Sequence, residues 1–222
     1  MGNSANLKQS GTRAALPTVT AVRLSGALDA QGLPSQEAWN RAVPLKFDRD
    51  WQGENPDPQR ATEVRILYTD DSLFLRFHQT YRTITVFPDA RPDGWRDELW
   101  NRDVAEAFLQ PDWSDPRRYK EFEVAPNGFW IDLDISHDEK EELHSKLLRR
   151  VVQNTEQKTW TAELAIPMRS LTPSFSPEKR WRVNFYRVEG EHEPRFYSAW
   201  SPTYSPQPAF HVPEAFGTLV FR

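Results

Sequence analysis

The 222-residue chain contains no cysteine. That excludes a disulfide framework, a thiol nucleophile and a cysteine-based zinc site. Of its 2 methionines one is Met1, so Met168 is the single internal one. No stretch approaches the roughly 20 apolar residues of a membrane-spanning helix. The opening residues Met1–Thr20 lack the basic start and the apolar run of about 7–15 residues that mark a signal peptide. As it stands the chain reads as cytoplasmic, with a mature secreted or periplasmic form as the alternative. Positive charge is not in excess: 28 Lys and Arg face 32 Asp and Glu, for a net charge of −4. Nucleic acid and anionic membranes both reward a basic patch, so neither is an expected partner. There is no Gly-x-Ser-x-Gly elbow, no phosphate loop and no internal repeat.

Aromatic side chains are abundant: 9 Trp, 13 Phe and 6 Tyr. A core absorbs many of these, but tryptophan often ends half-exposed as a contact surface. The length suits one all-β domain of about 200–250 residues. Residues 1–17 read as a disordered or loosely attached lead, and 18–222 as the folded domain. Strand-like runs recur over 19–24, 43–48, 61–69, 72–80, 103–110, 117–125, 128–134, 147–153, 158–166, 181–188, 195–200 and 217–221, separated by Pro, Gly, Asn and Asp. Val64, Ile66 and Tyr68 alternate onto one face, as do Leu73, Leu75 and Phe77. Trp160, Ala162, Leu164 and Ile166 do the same, and so do Trp181, Val183 and Phe185. Asp70-Asp71 and Pro126-Asn127-Gly128 read as hairpin turns. The one convincing helix is short, about 34–41, opening on Pro34-Ser35 with Glu37 near its start. The polar run 137–146 reads as a solvated excursion. This pattern predicts an all-β fold, a two-sheet antiparallel, jelly-roll-like sandwich with one short helix near the N-terminus.

Glu106 lies in the strand Asp103–Leu109, apolar on both faces. A lone carboxylate there is costly without a partner. It either pairs with an arginine such as Arg76 or Arg182, or accepts hydrogen bonds from a ligand. Trp95 and Trp100 lie just upstream, and an aromatic plate beside a hydrogen-bonding carboxylate is what a sugar needs.

Several segments resemble carbohydrate-binding module family 9 and the wider DOMON-like sandwiches. They are Leu99–Leu109, Phe122–Gly128, Trp160–Pro167, Trp181–Phe185, Ala199-Trp200-Ser201 and Phe216–Leu219, in the family's order over about residues 22–221. The resemblance implies a sandwich that clamps a terminal sugar between two rings. Trp100 takes the place of the first ring and Phe210 that of the second, where the family has Trp. Glu106, Asn184, Tyr186 and Gln207 take the places of polar sugar contacts. Glu123 stands where the family has a basic contact, and Ser25-Gly26 where relatives have Asp-Gly. The implied function is non-catalytic binding of a mono- or oligosaccharide, as an accessory to glycan degradation with a glycoside hydrolase as partner. The alternatives are a scaffold domain that has lost the sugar site, and a haem-binding relative using Met168, His78 or His211.

Glycosidases use two carboxylates about 5.5 Å apart for retention or about 6.5–9.5 Å for inversion. Glu121 and Glu123 share a strand face, but with Arg117, Arg118 and Lys120 around them they read as a surface ion-pair ladder. No catalytic residue is expected. No cofactor is expected either, although Asp132, Asp134 and Asp138 leave room for a structural calcium ion. An EF-hand is excluded, since the loop lacks its central glycine and Leu143 occupies the twelfth position. Trp160, Trp181 and Trp200 fall on apolar strand faces and read as core. Trp51, Trp95, Trp100 and Trp113 lie in loops, where ligand contact and loop packing are equally good readings.

Overall fold

A computed structural model describes residues 15–89 and 94–222. Most of the lead that the sequence sets apart therefore lies outside the described residues. The described chain is mostly β-structure. Its strands are β1 (Thr18–Arg23), β2 (Leu45–Phe47), β3 (Thr62–Tyr68), β4 (Ser72–Thr80), β5 (Val104–Gln110), β6 (Arg118–Val124), β7 (Trp130–Ser136), β8 (Glu139–Glu142), β9 (Leu148–Asn154), β10 (Thr159–Pro167), β11 (Trp181–Glu189), β12 (Phe196–Ala199) and β13 (Gly217–Phe221). Two short helices, α1 (Gln36–Arg41) and α2 (Met168–Leu171), accompany them.

The strands form one hydrogen-bonded path in the order β8-β7-β6-β5-β11-β13-β1-β3-β4-β10-β9, with β12 on β11 and β2 on β3. The path curls into a half-barrel. The expected antiparallel pattern needs one correction. β1 runs parallel to both of its neighbours, pairing Thr18–Ala21 with β13 and Val22-Arg23 with β3. Its two ends serve different strands, and this joins what the sequence presents as separate sheets.

Alternation decides which faces meet. Val64, Ile66, Tyr68, Leu73, Leu75, Phe77, Trp160, Ala162, Leu164 and Ile166 face Ala105, Ala107, Leu109, Trp181, Val183 and Phe185 in one core. The Phe77 and Phe185 rings meet edge-on across it at 6.0 Å. Trp160 and Trp181 are buried there and Trp200 packs against it. Behind β3, β4 and β10, Leu67, Phe74 and Ala165 are covered by Trp39 of α1. The Ser35 hydroxyl caps this helix by accepting from the Ala38 N–H, with Glu37 in the first turn and Arg41 in the last, charges that suit the helix dipole.

The run 137–146 is solvated, as its charge implies, but it is not shapeless. Four of its residues form β8, exposed along its length and paired with β7. Its charged side chains protect the edge of the sheet from further pairing, and its Lys140 reaches back over the neighbouring face.

Candidate functional site

The face of β11, β5 and β6 turned away from the main core carries a second cluster. Val104 and Phe108 of β5, Tyr119 of β6, and Tyr186 and Val188 of β11 pack there with Phe216. Glu106 projects from the middle of this face, paired in register with Tyr186 on one side and Glu123 on the other. Glu121, on the same face of β6, lies opposite Phe108. Above them opens a cavity of about 390 Å³ lined by Trp100, Glu106, Phe108, Glu121, Lys140, Val188, Arg195, Tyr197, Pro208, Ala209, Phe210 and His211.

The two expected clamp rings reach this cavity from loops far apart in sequence. Trp100 sits in a single helical turn, Leu99–Asn101, directly before β5. Buried Leu99 anchors that turn, and Arg195 donates to the Trp100 carbonyl at 2.8 Å. The Lys140 ammonium rests 4.4 Å from the Trp100 ring centre. Phe210 stacks on Tyr186, centroids 4.2 Å apart and planes 12° from parallel. The Tyr186 hydroxyl donates to the Phe210 carbonyl at 2.9 Å, and the Tyr197 ring meets Phe210 edge-on at 6.0 Å. Neither clamp ring is buried outright, so both present surface to the cavity.

Asn184 and Tyr186 correct the sequence reading. Both are fully buried, and neither lines the cavity. The Asn184 amide donates to the Tyr186 hydroxyl and the Ser201 carbonyl, each at 2.8 Å, while its oxygen accepts from the Phe185 and Ser201 N–H groups. With those bonds made, these side chains fix the chain around Phe210. Gln207 is exposed, next to Pro208 of the lining.

Glu106 is not paired with an arginine. Arg76 faces Glu163 at 3.6 Å, and Arg182 donates to the Phe216 carbonyl. The neighbours of Glu106 are instead two more acids. Oxygens of Glu106, Glu121 and Glu123 lie within 4.8 Å of one another, with the three residues only 2%, 2% and 1% exposed. Burial, and then the charge of Glu121, pushes Glu106 well above the usual carboxylate range. Burial, and then the charges of Glu106 and Glu121, does the same to Glu123. The expected surface ladder on β6 is thereby overturned. Its basic residues turn elsewhere, Lys120 to Asp134 and Arg117 to Asp138, while Glu121 and Glu123 point to the opposite side of the strand. The signal was available: a residue paired with Glu106 across neighbouring strands shares its face, whatever charges flank it in sequence.

Of the other expected residues, Asp132, Met168 and His78 lie apart from this cavity. Asp132 accepts from the Ser145 N–H at 2.7 Å. Met168 is packed into the main core, and His78 is bonded to Thr161. His211 lines the cavity, its Nδ1 2.7 Å from the Tyr119 hydroxyl. Trp51 supports the rim, meeting Tyr197 edge-on at 6.3 Å and donating to the Ser205 carbonyl. Trp113, 47% exposed, lines a different cavity of about 680 Å³ with Arg118, Lys120 and Trp181. Lys140, Arg195, Tyr197 and His211 were not expected in the lining as a set. All four lie outside the segments that carry the resemblance, and Lys140 arrives through β8, which the sequence does not announce.

Comparison with known proteins agrees with the fold. A crystal structure of a candidate carbohydrate-binding protein from Bacteroides uniformis superposes with a TM-score of 0.73 at 18% identity, covering 94% of this chain and 100% of that one. A family 9 carbohydrate-binding module from Caldicellulosiruptor kristjanssonii, solved with glucose, gives 0.67 at 12% identity over 93% of this chain and 96% of its own. The same organism's module with cellotriose gives 0.63 at 12% identity, over 93% and 94%. At such identities the likeness is one of fold. In sequence, an extracellular protein of Arthroderma benhamiae is 26% identical over 201 residues, 82% of this chain and 86% of that protein. The model of carbohydrate-binding family 9 matches residues 49–221, and on that match this chain belongs to carbohydrate-binding family 9.

Proposed function

We propose that the chain binds the terminal sugar of a mono- or oligosaccharide between Trp100 and Phe210, without catalysing a reaction. The observation that carries this is the cavity itself. Two loop aromatics and the carboxylate of Glu106 border one open slot of about 390 Å³. Pyranose C–H faces pack on rings while fixed polar atoms take the hydroxyls. Glu106 supplies an acceptor on the floor, Gln207 an amide at the rim, and Asn184 with Tyr186 the support for the Phe210 ring. Glucose and cellotriose, bound by the Caldicellulosiruptor modules, are the natural first ligands to try. Tethering a glycan for a separate hydrolase is the role such a site fits.

We read the half-barrel as a two-layered sandwich closed along β1, with the sugar slot on the outer face of one layer. That placement also bears on catalysis. Glu106 and Glu121 both rise from the sheet floor on adjacent strands, on one side of the slot. Glycoside hydrolysis needs carboxylates flanking the scissile bond.

Calorimetric titration of the chain with glucose and cello-oligosaccharides tests the reading. Trp100→Ala should weaken binding by about 2 kcal/mol or more, roughly 30-fold, as for a central aromatic contact. Unchanged affinity in that variant rejects the clamp.

A further inference from the structure

Three carboxylates so close together at 1–2% exposure are costly unless something positive or protic lies among them. The protein itself supplies little. No other group donates to Glu106 Oε1, Glu121 Oε2 or either oxygen of Glu123, although Glu121 and Glu123 lie close enough to share a hydrogen bond with each other. Among the described residues the nearest basic group is His211, with Nε2 3.9 Å from Glu121 Oε2. The cations of the lining are engaged elsewhere: Lys140 over the Trp100 ring, Arg195 on the Trp100 carbonyl and Glu193. Orphaned buried oxygens aimed at one another mark a point where a ligand belongs.

The donor set and its size narrow the ligand. Carboxylate oxygens are hard donors that suit magnesium, calcium and manganese. Calcium takes oxygens at about 2.3–2.6 Å, so two oxygens on one ion stand up to about 5 Å apart. Magnesium, at about 2.0–2.1 Å, closes that limit to about 4.2 Å. The oxygens of the three acids lie within 4.8 Å of one another, a spacing closer to the span of calcium than to that of magnesium.

We propose that Glu106, Glu121 and Glu123 hold a calcium ion at the floor of the cavity, with its remaining coordination positions turned toward the sugar. Glu106 and Glu121 line the cavity while Glu123 sits behind them, so the ion is backed by protein and open in front. Three protein oxygens leave at least three positions of a six- to eight-coordinate ion, enough for a vicinal diol. The ion site stands on the acids alone; its contact with hydroxyls rests on the sugar-binding reading above.

The test is calorimetric titration of EDTA-stripped chain with CaCl2, with TbCl3 as a luminescent stand-in that Trp100 can sensitise. One saturable calcium site is expected, along with a higher thermal midpoint in CaCl2 and terbium emission that excess calcium quenches. E123Q should lose the emission and at least tenfold in calcium affinity, with its circular dichroism unchanged. Absence of heat and of any rise in midpoint in the wild-type chain at millimolar CaCl2 overturns the site, however the variant folds. Sugar titrations in CaCl2 and in EDTA separate the two readings. Affinity at least tenfold weaker in EDTA supports the ion–hydroxyl contact, and equal affinity overturns it. Calcium binding without binding of any sugar leaves the ion site standing and removes the carbohydrate reading.

Discussion

The Tyr186 hydroxyl makes two bonds, accepting from the Asn184 amide and donating to the Phe210 carbonyl, while its ring carries the Phe210 ring. Tyr186→Phe keeps the stack and removes the hydroxyl. It leaves one amide hydrogen of Asn184 and the Phe210 carbonyl short of a partner, a loss of about 1–3 kcal/mol of stability, readable in urea unfolding. Sugar affinity should fall only severalfold, since the ring still supports Phe210. A variant as stable as the parent would contradict the assigned bonds. Glu106 illustrates why single residues were hard to read. That it shares a face with Val104 and Phe108 was legible from the alternation along the strand, but its partner was not. Sequence offered arginines on neighbouring strands, and the fold supplied two glutamates, because cross-strand register brings Glu123 beside it.

At the scale of elements, β5 is tied at its start by Asp103. Its carboxylate accepts from the Gly190 N–H at 2.7 Å and the Thr85 N–H at 3.1 Å, holding two loops to the strand that carries Glu106. Burial pushes this acid up to about 6 despite those donors. Its folded form therefore holds a proton more tightly than the unfolded chain does. The stability this contributes is complete below pH about 4 and is lost as pH rises through 6, a span worth about 3 kcal/mol. Asp103→Asn does not titrate, so denaturant unfolding at pH 4 and pH 7 should show its stability gaining about 3 kcal/mol relative to the parent. A constant difference between the two proteins would refute the cause given. The main strands were readable from alternation, since each inward series named from sequence lies in the one core. β8 was not, because every one of its residues is exposed and an edge hairpin leaves no apolar period. β1 was read as a strand, but its parallel pairing on both sides depends on where the chain's last strand returns.

On the scale of the whole molecule, the half-barrel brings Trp100, Phe210 and Glu106 around one slot from segments about a hundred residues apart. Composition foretold aromatic surface, and the family resemblance named the rings. Which acids share the floor, and that Asn184 and Tyr186 lie beneath it, came only from the three-dimensional register. A second, larger cavity around Trp113 offers a competing seat for a ligand. The most direct measurement is therefore a crystal structure of the chain soaked with cellotriose. A terminal pyranose is expected between Trp100 and Phe210, with its hydroxyls over Glu106. A sugar seated against Trp113, or a slot closed by the Lys140 side chain with no sugar in it, would contradict the clamp.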